Sequence, residues 1–515
     1  MSDLLEYFEK ENPVALAAEL PPFTTGNVFR GIGIAVLAHI ILVKVIYNVY
    51  FHPLRNFPGP RLWAISRIPW HYTNLKGRIT WRIRELHDQY GPVVRIAPDE
   101  LSYTTSSAWK KIYGQRTPEF AKALDGRGIA PTSIGGRPSL MTETQENHLR
   151  LRKAINPAFS ERALREQEHY LQAHSTKLVK ILTEKSKQGP VDMTTWYNLV
   201  AFDIVSDLAF GEPAGFLDNA DQPWIQVILD RAKAIKYYQL AVWYGFFPLL
   251  NLLTPAYVMA SRRSHIQLTT QKLERRMNAV NPGKDFMAYI LENPDPAVEK
   301  LSKIELVMLA SNFIVAGSGT SAGGMSGLTY LLLRNPEKLE RLKKEIREAF
   351  KSNEEITMVG TAKCKYLNAC LEEGMRMYPP TPGSLPRIVP GKGQEIDGRW
   401  VKGGMAVAVN QFSAGTSELN FKRAREFHPE RYLELPPGSE FAHDDRAAAQ
   451  PFSMGQRVCI GRSMAYAEMR LTMCKMLYNF DLELAEPDLD WWNLQGTYLV
   501  WEKIPLMIQL HPRFN

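Results

Sequence analysis

The sequence predicts a mainly α-helical protein with small β-sheets (an α+β fold), in which one large domain follows a single N-terminal transmembrane helix. Most of the chain has helical periodicity, short strand patterns occur in two places, and one apolar stretch near the start is long enough to span a membrane. At about 150 residues per domain, a chain of 515 residues would hold three or four domains. No internal repeat, low-complexity tract or second linker divides it, so we expect one domain instead.

The apolar stretch covers residues 28–51 and is the candidate transmembrane anchor. About 20 residues span the hydrocarbon core of a bilayer. Arg30 lies at one end of the stretch, and Lys44 is near enough to the other end for its ammonium group to reach the interface. Two tyrosines at the end of the stretch fit an interfacial aromatic belt. An amphipathic or buried helix is the alternative, because the apolar core from Ile32 to Val43 is short.

Charge is distributed unevenly on the two sides of this stretch. Residues 1–29 hold five acids and one base, a net charge of −4, so the formal charge of +8 leaves +12 for the remainder. Residues 51–84 hold seven bases and no acid. The positive-inside rule therefore predicts that residues 1–27 are lumenal and that the rest of the chain faces the cytosol. A cleaved signal peptide is disfavoured, because its leading region would be basic.

Composition excludes several classes of protein. Hydrophobic residues make up 45% and charged residues 23%, which argues against a disordered, collagen-like or polytopic membrane chain. Four cysteines without a C-x-x-C pair provide neither a disulfide scaffold nor a zinc ribbon. No N-x-S/T glycosylation sequon occurs, and both facts fit a domain kept in the reducing cytosol. No nucleic-acid-binding motif or basic tract accompanies the positive charge.

The predicted elements follow in chain order. Residues 52–62 form a proline-rich hinge that cannot continue the anchor helix, and residues 63–515 form the main domain. A β-hairpin is predicted over 93–96 and 101–104, and a second β-rich patch over 394–409 with its turn at Asp397-Gly398. The segments with helical periodicity are 144–154, 163–187, 192–209, 223–241, 302–334, 336–351 and 462–478.

The segment from Ser302 is an unusual helix. Ser302 and Glu305 form a capping-box pattern before a long apolar run. The run contains five glycines, each of which costs about 0.5–1 kcal/mol relative to alanine in a helix. Either the segment is a broken helix or two helices, or its backbone approaches a flat ligand closely with a local kink. Spacing alone does not decide between these.

Residues 452–461 carry the most specific motif. They match F-x-x-G-x-R-x-C-x-G, which arises by chance in a chain this long roughly once in ten thousand, through Phe452, Gly455, Arg457, Cys459 and Gly461. This motif resembles the haem-binding signature of the cytochrome P-450 family. The resemblance implies that the Cys459 thiolate is the axial ligand of haem iron. It also implies that the glycines bring backbone close to the porphyrin and that Arg457 donates to a propionate. An inert buried cysteine is the alternative.

Further motifs extend the resemblance to residues 52–515. Glu373 and Arg376 match the E-x-x-R helix of the family, and Arg431 lies in its later P-E-R-x element, three charged residues that in the family lock the haem loop. His148, Arg152 and Arg387 stand where relatives bind propionates, although tryptophan is more usual at the position of His148. For these three the alternative is a surface salt bridge.

The oxygen site departs from the family pattern. Relatives usually read A/G-G-x-D/E-T, whereas this chain reads Ala316-Gly317-Ser318-Gly319-Thr320-Ser321, with glycine in place of the acid. The resemblance places Ala316 and Gly317 against the haem. Thr320, Ser318 and Ser321 are the candidate proton-relay residues. A substrate hydroxyl could complete the relay instead, or the reaction could depend less on that path.

The resemblance implies a haem-thiolate monooxygenase of the kind found in filamentous-fungal secondary metabolism. It would carry haem b in the endoplasmic reticulum membrane and act on an apolar substrate. Electrons would come from NADPH through a separate reductase, and cytochrome b5 is a further candidate partner. The alternatives are an oxidase that performs coupling, ring formation, desaturation or rearrangement, and a non-catalytic haem binder. By position, residues 237–250 form a candidate lid and residues 124–138 a candidate substrate loop. The candidate reductase-facing bases are Arg150, Lys153, Arg462, Arg470 and Lys475.

Overall fold

The computed structural model describes residues 25–114, 118–128, 133–134, 137–219, 236–246, 256–279, 283–293, 295 and 299–514. Within these residues, the named α-helices are α1 Thr25–Ile46, α2 Arg61–Ile65, α3 Ile68–Leu75, α4 Ile79–Tyr90, α5 Ser106–Tyr113, α6 Gln145–Ile155, α7 Glu161–Glu166, α8 Glu168–Ser186, α9 Met193–Phe210, α10 Ala256–Met277, α11 Phe286–Leu291, α12 Lys303–Leu333, α13 Pro336–Ala349, α14 Met358–Ala362, α15 Lys365–Met377, α16 Gln411–Gly415 and α17 Arg462–Asn479. Residues 236–243 are also helical.

The β-structure is small and divided among several short sheets. Its strands are β1 Val93–Ala97, β2 Glu100–Tyr103, β3 Ala121–Lys122, β4 Ser133–Ile134, β5 Arg137–Pro138, β6 Val191–Asp192, β7 Arg387–Ile388, β8 Gly393–Ile396, β9 Arg399–Lys402, β10 Ala406–Val409, β11 Phe480–Leu484, β12 Gly496–Tyr498, β13 Val500–Glu502 and β14 Met507–Pro512. The largest sheet has the order β1-β2-β10-β7-β3. It joins the two β-regions that the sequence predicts, because β10 pairs parallel to β2, with Val407 opposite Leu101.

The chain divides into two compact units, one ending at Arg55 and one running from Asn56 to the C-terminus. The division falls inside the proline-rich hinge predicted over residues 52–62. In the first unit α1 continues into a short π-helix, Tyr47–Phe51. The stretch Ile32–Phe51 has a mean hydropathy of 2.1, and 6% of its best window is buried. It is therefore a candidate membrane anchor.

A second helix, α12, also passes the length and hydropathy test for a membrane span, but 67% of its window is buried in the protein. Ser302 caps it: Glu305 N donates to Ser302 Oγ at 3.4 Å, and Ser302 N donates to Glu305 Oε2 at 2.8 Å. The helix then runs for 31 residues without a break. Buried residues of α12 and α9 belong to the same hydrophobic core, so α12 is a core helix of the large unit.

Three of the glycines in α12 lie where neighbouring elements leave no room for a side chain. A Cβ atom on Gly317 would lie 2.5 Å from Val205 Cγ2 of α9, and one on Gly327 would lie 2.3 Å from the ring of Tyr378. A Cβ atom on Gly324 would lie 2.8 Å from Met469 Sδ of α17. These glycines are explained by close helix packing, whereas Gly319 has open space beside it.

The other predicted elements are found with small changes of boundary. The predicted helix over 163–187 is two helices, α7 and α8, separated at Gln167. Its side chain is turned into the protein, where Gln167 Nε2 donates to Ala158 O at 3.4 Å. The predicted helix over 223–241 lies mostly outside the described residues, which resume at 236. Asp397 and Gly398 both have positive φ, as the predicted turn between β8 and β9 requires.

Candidate active site

The cysteine loop lies between a 3-10 turn, Gly455–Arg457, and the start of α17. Cys459 N donates to Phe452 O at 2.9 Å, which closes the loop. Gly455 has φ +72°, and a Cβ atom there would lie 1.9 Å from Tyr113 O. Both the conformation and the close approach therefore require glycine at this position.

Cys459 differs from the other three cysteines, which are buried. Its side chain is open at the surface of the chain, although protein surrounds it on most sides. Burial raises the pKa of this thiol, while the Gly461 N–H and the Arg152 and Arg462 cations act in the opposite direction. A bound metal cation would favour the thiolate further.

Basic side chains from distant parts of the chain meet beside this loop. Arg152 Nη1 donates to Val458 O at 2.8 Å, directly before the cysteine. Burial and the nearby Arg457, Lys122, Arg152 and Arg387 cations lower the pKa of His148 to about 3. The structure therefore brings together the four residues that the resemblance predicts to bind propionates. These are His148 and Arg152 of α6, Arg387 of β7 and Arg457 of the cysteine loop.

Two buried nitrogen atoms of this cluster lack a hydrogen-bond partner among the described residues: Arg457 Nη1 and His148 Nδ1. Leaving a buried donor unsatisfied costs about 1–3 kcal/mol. Both atoms can donate to an anionic oxygen, and the propionates of haem supply such oxygens. The cluster therefore fits a haem better than it fits an empty cleft.

Glu119 and Lys122 belong to this cluster but were not predicted from the sequence. Glu119 Oε1 accepts from Arg457 Nη2 at 2.6 Å, and Glu119 Oε2 lies 4.0 Å from Arg387 Nη1. Burial, Arg387 and Arg457 lower the pKa of Lys122 to about 7. No motif surrounds either residue, so only the tertiary structure reveals them.

The oxygen-site segment of α12 divides its side chains between two faces. Thr320 Oγ1 donates to Ala316 O at 2.7 Å, on a face that is partly open. Ser318 is fully buried and donates to Ile314 O at 2.7 Å, and Ser321 bonds to the buried Glu468 of α17. Residues two apart on a helix differ in direction by about 200°. The structure thus keeps Ser318 and Ser321 away from Thr320, and it turns Gly317 toward α9.

The predicted charged lock is present and fully buried. Glu373 Oε2 accepts from Arg376 Nε at 2.6 Å, and Arg431 Nε lies 3.1 Å from the same carboxylate. Asp444 pairs with the opposite side of Arg431, a partner that the sequence motifs did not predict. Arg376 Nη1 also donates to Ala424 O at 2.6 Å, so the lock fixes the backbone around it.

A cavity adjoins the segment that leads into Arg387. Residues Thr381–Pro386 form one wall, and Leu499, at the tip of the β12–β13 hairpin, forms part of another. Arg127 and Gly128 of the predicted substrate loop and Gln239 of the predicted lid line it too. Tyr237 and Phe246 of the lid segment are exposed, and its residues 247–250 lie outside the described part.

The prediction that Lys475 faces a reductase is wrong. Lys475 is buried, and its Nζ donates to Thr176 Oγ1 at 3.0 Å and to Asn353 O at 3.2 Å. It therefore supports the packing of α17 and offers no charge to a partner. Lys153 is half-exposed beside Asp295, and Arg462 is exposed.

These features together are typical of a haem-thiolate protein. The cysteine lies on a tight glycine loop, a partly unsatisfied cationic cluster lies beside it, and a buried helix presents a threonine. Comparison with known sequences agrees. The family model for cytochrome P450 matches residues 57–510, and the chain belongs to the cytochrome P450 family.

Named relatives of the chain are fungal enzymes. Cytochrome P450 monooxygenase alt3 of Alternaria solani is 69% identical over 94% of both chains. Cytochrome P450 monooxygenase alt1 of the same organism is 48% identical over 92% of both. An averantin hydroxylase of Dothistroma septosporum is 41% identical over 93% of this chain and 91% of the relative.

Proposed function

We propose that this chain inserts one oxygen atom from O2 into an apolar secondary metabolite, with electrons that a separate NADPH-dependent reductase supplies. The observation that carries the proposal is the partly open Cys459 thiol beside the unsatisfied nitrogen atoms Arg457 Nη1 and His148 Nδ1. Bound haem would supply oxygen activation, which an axial thiolate favours. The similarity to fungal monooxygenases supports the same chemistry.

Each candidate residue has a separate task in this proposal. Cys459 holds the iron, while Arg152, Arg387, Arg457 and His148 hold the propionates. Ala316 adjoins the ligand face of α12. Thr320 holds a proton at Oγ1, which its bond to Ala316 O orients. The lock of Glu373, Arg376 and Arg431 keeps the surrounding backbone rigid, and the roles of Phe452 and Gly461 follow from the loop motif.

We further propose that α1 anchors the enzyme in the endoplasmic reticulum membrane with the large unit in the cytosol. The acidic residues before α1 and the bases after it support this orientation. An apolar substrate would then enter through lipid or near its surface, past the exposed aromatics of the lid segment. We therefore propose three partners for the enzyme: membrane lipid, the reductase and cytochrome b5.

The carbon monoxide difference spectrum of the reduced protein tests the haem-thiolate assignment. Cys459→Ala is expected to abolish the thiolate-type band, because it removes the sulfur that would hold the iron. Cys364→Ala is the matched control, since that thiol is buried and bonded to Gly360 O at 3.8 Å, and it should keep the band. A thiolate band in the Cys459→Ala protein would refute the assignment. With reductase, NADPH and a metabolite panel, labelled oxygen from O2 should then appear in a product.

A further inference from the structure

Lys503 lies against the oxygen-site helix, on the segment that follows β13. Its Nζ donates to Gly319 O at 3.3 Å and to Asn198 Oδ1 of α9 at 3.3 Å. A Cβ atom on Gly323 would lie 3.9 Å from the same nitrogen. The ammonium group therefore lies on the part of α12 where Gly319 and Gly323 present no side chain.

The surroundings of this lysine are unusual for a charged group. Lys503 is partly buried. An ammonium withdrawn from water is normally paired with a carboxylate, but the hydrogen-bond acceptors of Lys503 among the described residues are an amide oxygen and a backbone carbonyl. Asp192, at the N-terminus of α9, is the nearby negative charge, and its Oδ1 accepts from Leu506 N at 2.9 Å. Burial lowers the pKa of Lys503 to about 8 against the effect of Asp192.

The lysine meets α12 at the residue where the family pattern has an acid. Gly319 supplies no proton-holding side chain, and a Cβ atom there would have nothing within 4 Å. Thr320, the next residue, holds the hydroxyl on the open face. The C-terminal segment thus brings a titratable group to the turn of the helix that lacks one.

We propose that Lys503 is a positioning residue for proton delivery, whose ammonium group, held by Asn198 and the Gly319 carbonyl, supplies protons to Thr320 in place of a carboxylic acid at position 319. This inference rests on the proposed monooxygenase function. The overall reaction consumes O2, NADPH and a proton besides the substrate and forms the oxygenated product, water and NADP+. Thr320 passes its hydroxyl proton on and receives a proton from Lys503 Nζ. Solvent then reprotonates the amine, so both residues return to their starting protonation states.

A pH-dependent test must separate Lys503 from its titratable neighbours. Asp192 approaches it from the N-terminus of α9. Within the described residues, its Nζ lies near Gly319 and Gly323 of α12, which carry no titratable side chain. Glu468 approaches α12 from α17 through Ser321, and burial raises its pKa to about 8 as well. A Glu468→Gln variant is therefore needed beside the lysine variants.

The rate at which O2 reoxidises the reduced, haem-loaded protein tests the proposal without a known substrate. The Soret band is followed after rapid mixing, from about pH 6 to about pH 10. Lysine carries its extra proton below its pKa, so the rate of the native protein should fall as pH rises through about 8. Lys503→Met should be at least about tenfold slower at pH 7, without that inflection and with a reduced solvent isotope effect.

Lys503→Arg separates proton delivery from a structural role. Arginine keeps the charge and can hold the same acceptors, but its much higher pKa prevents release of a proton. Slow reoxidation in this variant supports the proposal, and full rescue overturns it. Gly319→Glu in the Lys503→Met background should restore the rate, because it places a carboxylic acid beside Thr320. The exposed Lys402→Met is the matched control and should behave as the native protein.

The outcomes distinguish this inference from the proposed function. A thiolate-type carbon monoxide spectrum in every variant confirms folding and haem loading. If that spectrum is present and Lys503→Met keeps the native rate and inflection, or if the inflection disappears only in Glu468→Gln, the role of Lys503 is refuted alone. If the native protein lacks the spectrum, the proposed function fails first.

Discussion

Arg457 is held from one side only. Its Nε and Nη2 bond to Glu119, and Nη2 also donates to Glu143 O at 2.9 Å, whereas Nη1 is buried without a partner among the described residues. The N–H groups of Nη1, the free edge of this guanidinium, can still form charge-assisted hydrogen bonds to a carboxylate. The free edge of Arg457 is thus prepared for a propionate while Glu119 fixes the side chain.

We predict that Arg457→Leu accelerates haem loss by about 10–100-fold, because hydrogen bonds to charged groups contribute about 1.5–3 kcal/mol. Transfer of haem to excess apomyoglobin measures the rate. Glu119→Gln is the matched control. It keeps the shape of the partner but removes its charge, so haem should be retained at least as tightly as in the native protein. Equal rates for Arg457→Leu and the native protein would contradict the prediction.

The site residues that the sequence predicted belong to a local motif, whereas those it missed have partners far away in the chain. Cys459 and Gly455 lie within ten residues of each other, so one local motif defines both. Glu119 pairs with Arg457 across 338 positions, and Lys503 meets Gly319 across 184. No local pattern encodes such pairs. Ser318 is a different case, since it lies two residues before Thr320 and helical geometry alone separates the directions of the two side chains by about 200°.

The packing of α12 shows why one helix carries so many glycines. Close packing against α9, α17 and Tyr378 explains Gly317, Gly324 and Gly327. Gly319 has free space, and its carbonyl is used by Lys503. The sequence predicted the helix and its cap, but the partner of each glycine depends on elements far away in the chain.

We predict opposite effects for alanine at two of these glycines. Gly317→Ala places its methyl group 2.5 Å from Val205 Cγ2, and valine has little freedom to turn away, so we expect a loss of about 1–3 kcal/mol in the free energy of unfolding. Gly319→Ala meets nothing and should gain about 0.5–1 kcal/mol from helix propensity. Denaturant unfolding of the haem-loaded protein measures both.

A second substitution checks the cause of this difference. Val205→Ala removes the methyl groups that the new side chain would meet, so Gly317→Ala should cost less in that background than in the native one. An equal cost in both backgrounds would show that α9 does not explain the glycine. The same double-variant comparison with Gly319→Ala should show no coupling, since that position has no neighbour within 4 Å.

Two helices in the described part of the chain are long and apolar enough to cross a membrane, and they differ in how far they are buried. In α12 the apolar surface is covered by the rest of the large unit, whereas Ile32, Ile34 and Ile40 of α1 are more than half exposed. Hydropathy alone ranks both as candidates, and the sequence identified α1 by its position and by the charges around it. Exposed isoleucines in such a run require lipid or a protein partner to cover them.

We predict that a chain lacking residues 1–51 is released from fungal microsomes by alkaline carbonate, whereas the full-length chain stays in the membrane pellet. The unit that starts at Asn56 is compact by itself, so the shortened protein should still give the thiolate-type carbon monoxide spectrum. That spectrum is the control for folding. Retention of the shortened protein in the pellet would exclude α1 as the sole anchor.

A glycosylation sequon introduced before residue 25 should be modified if the N-terminus is lumenal, and an unmodified sequon would reverse the orientation inferred from charge.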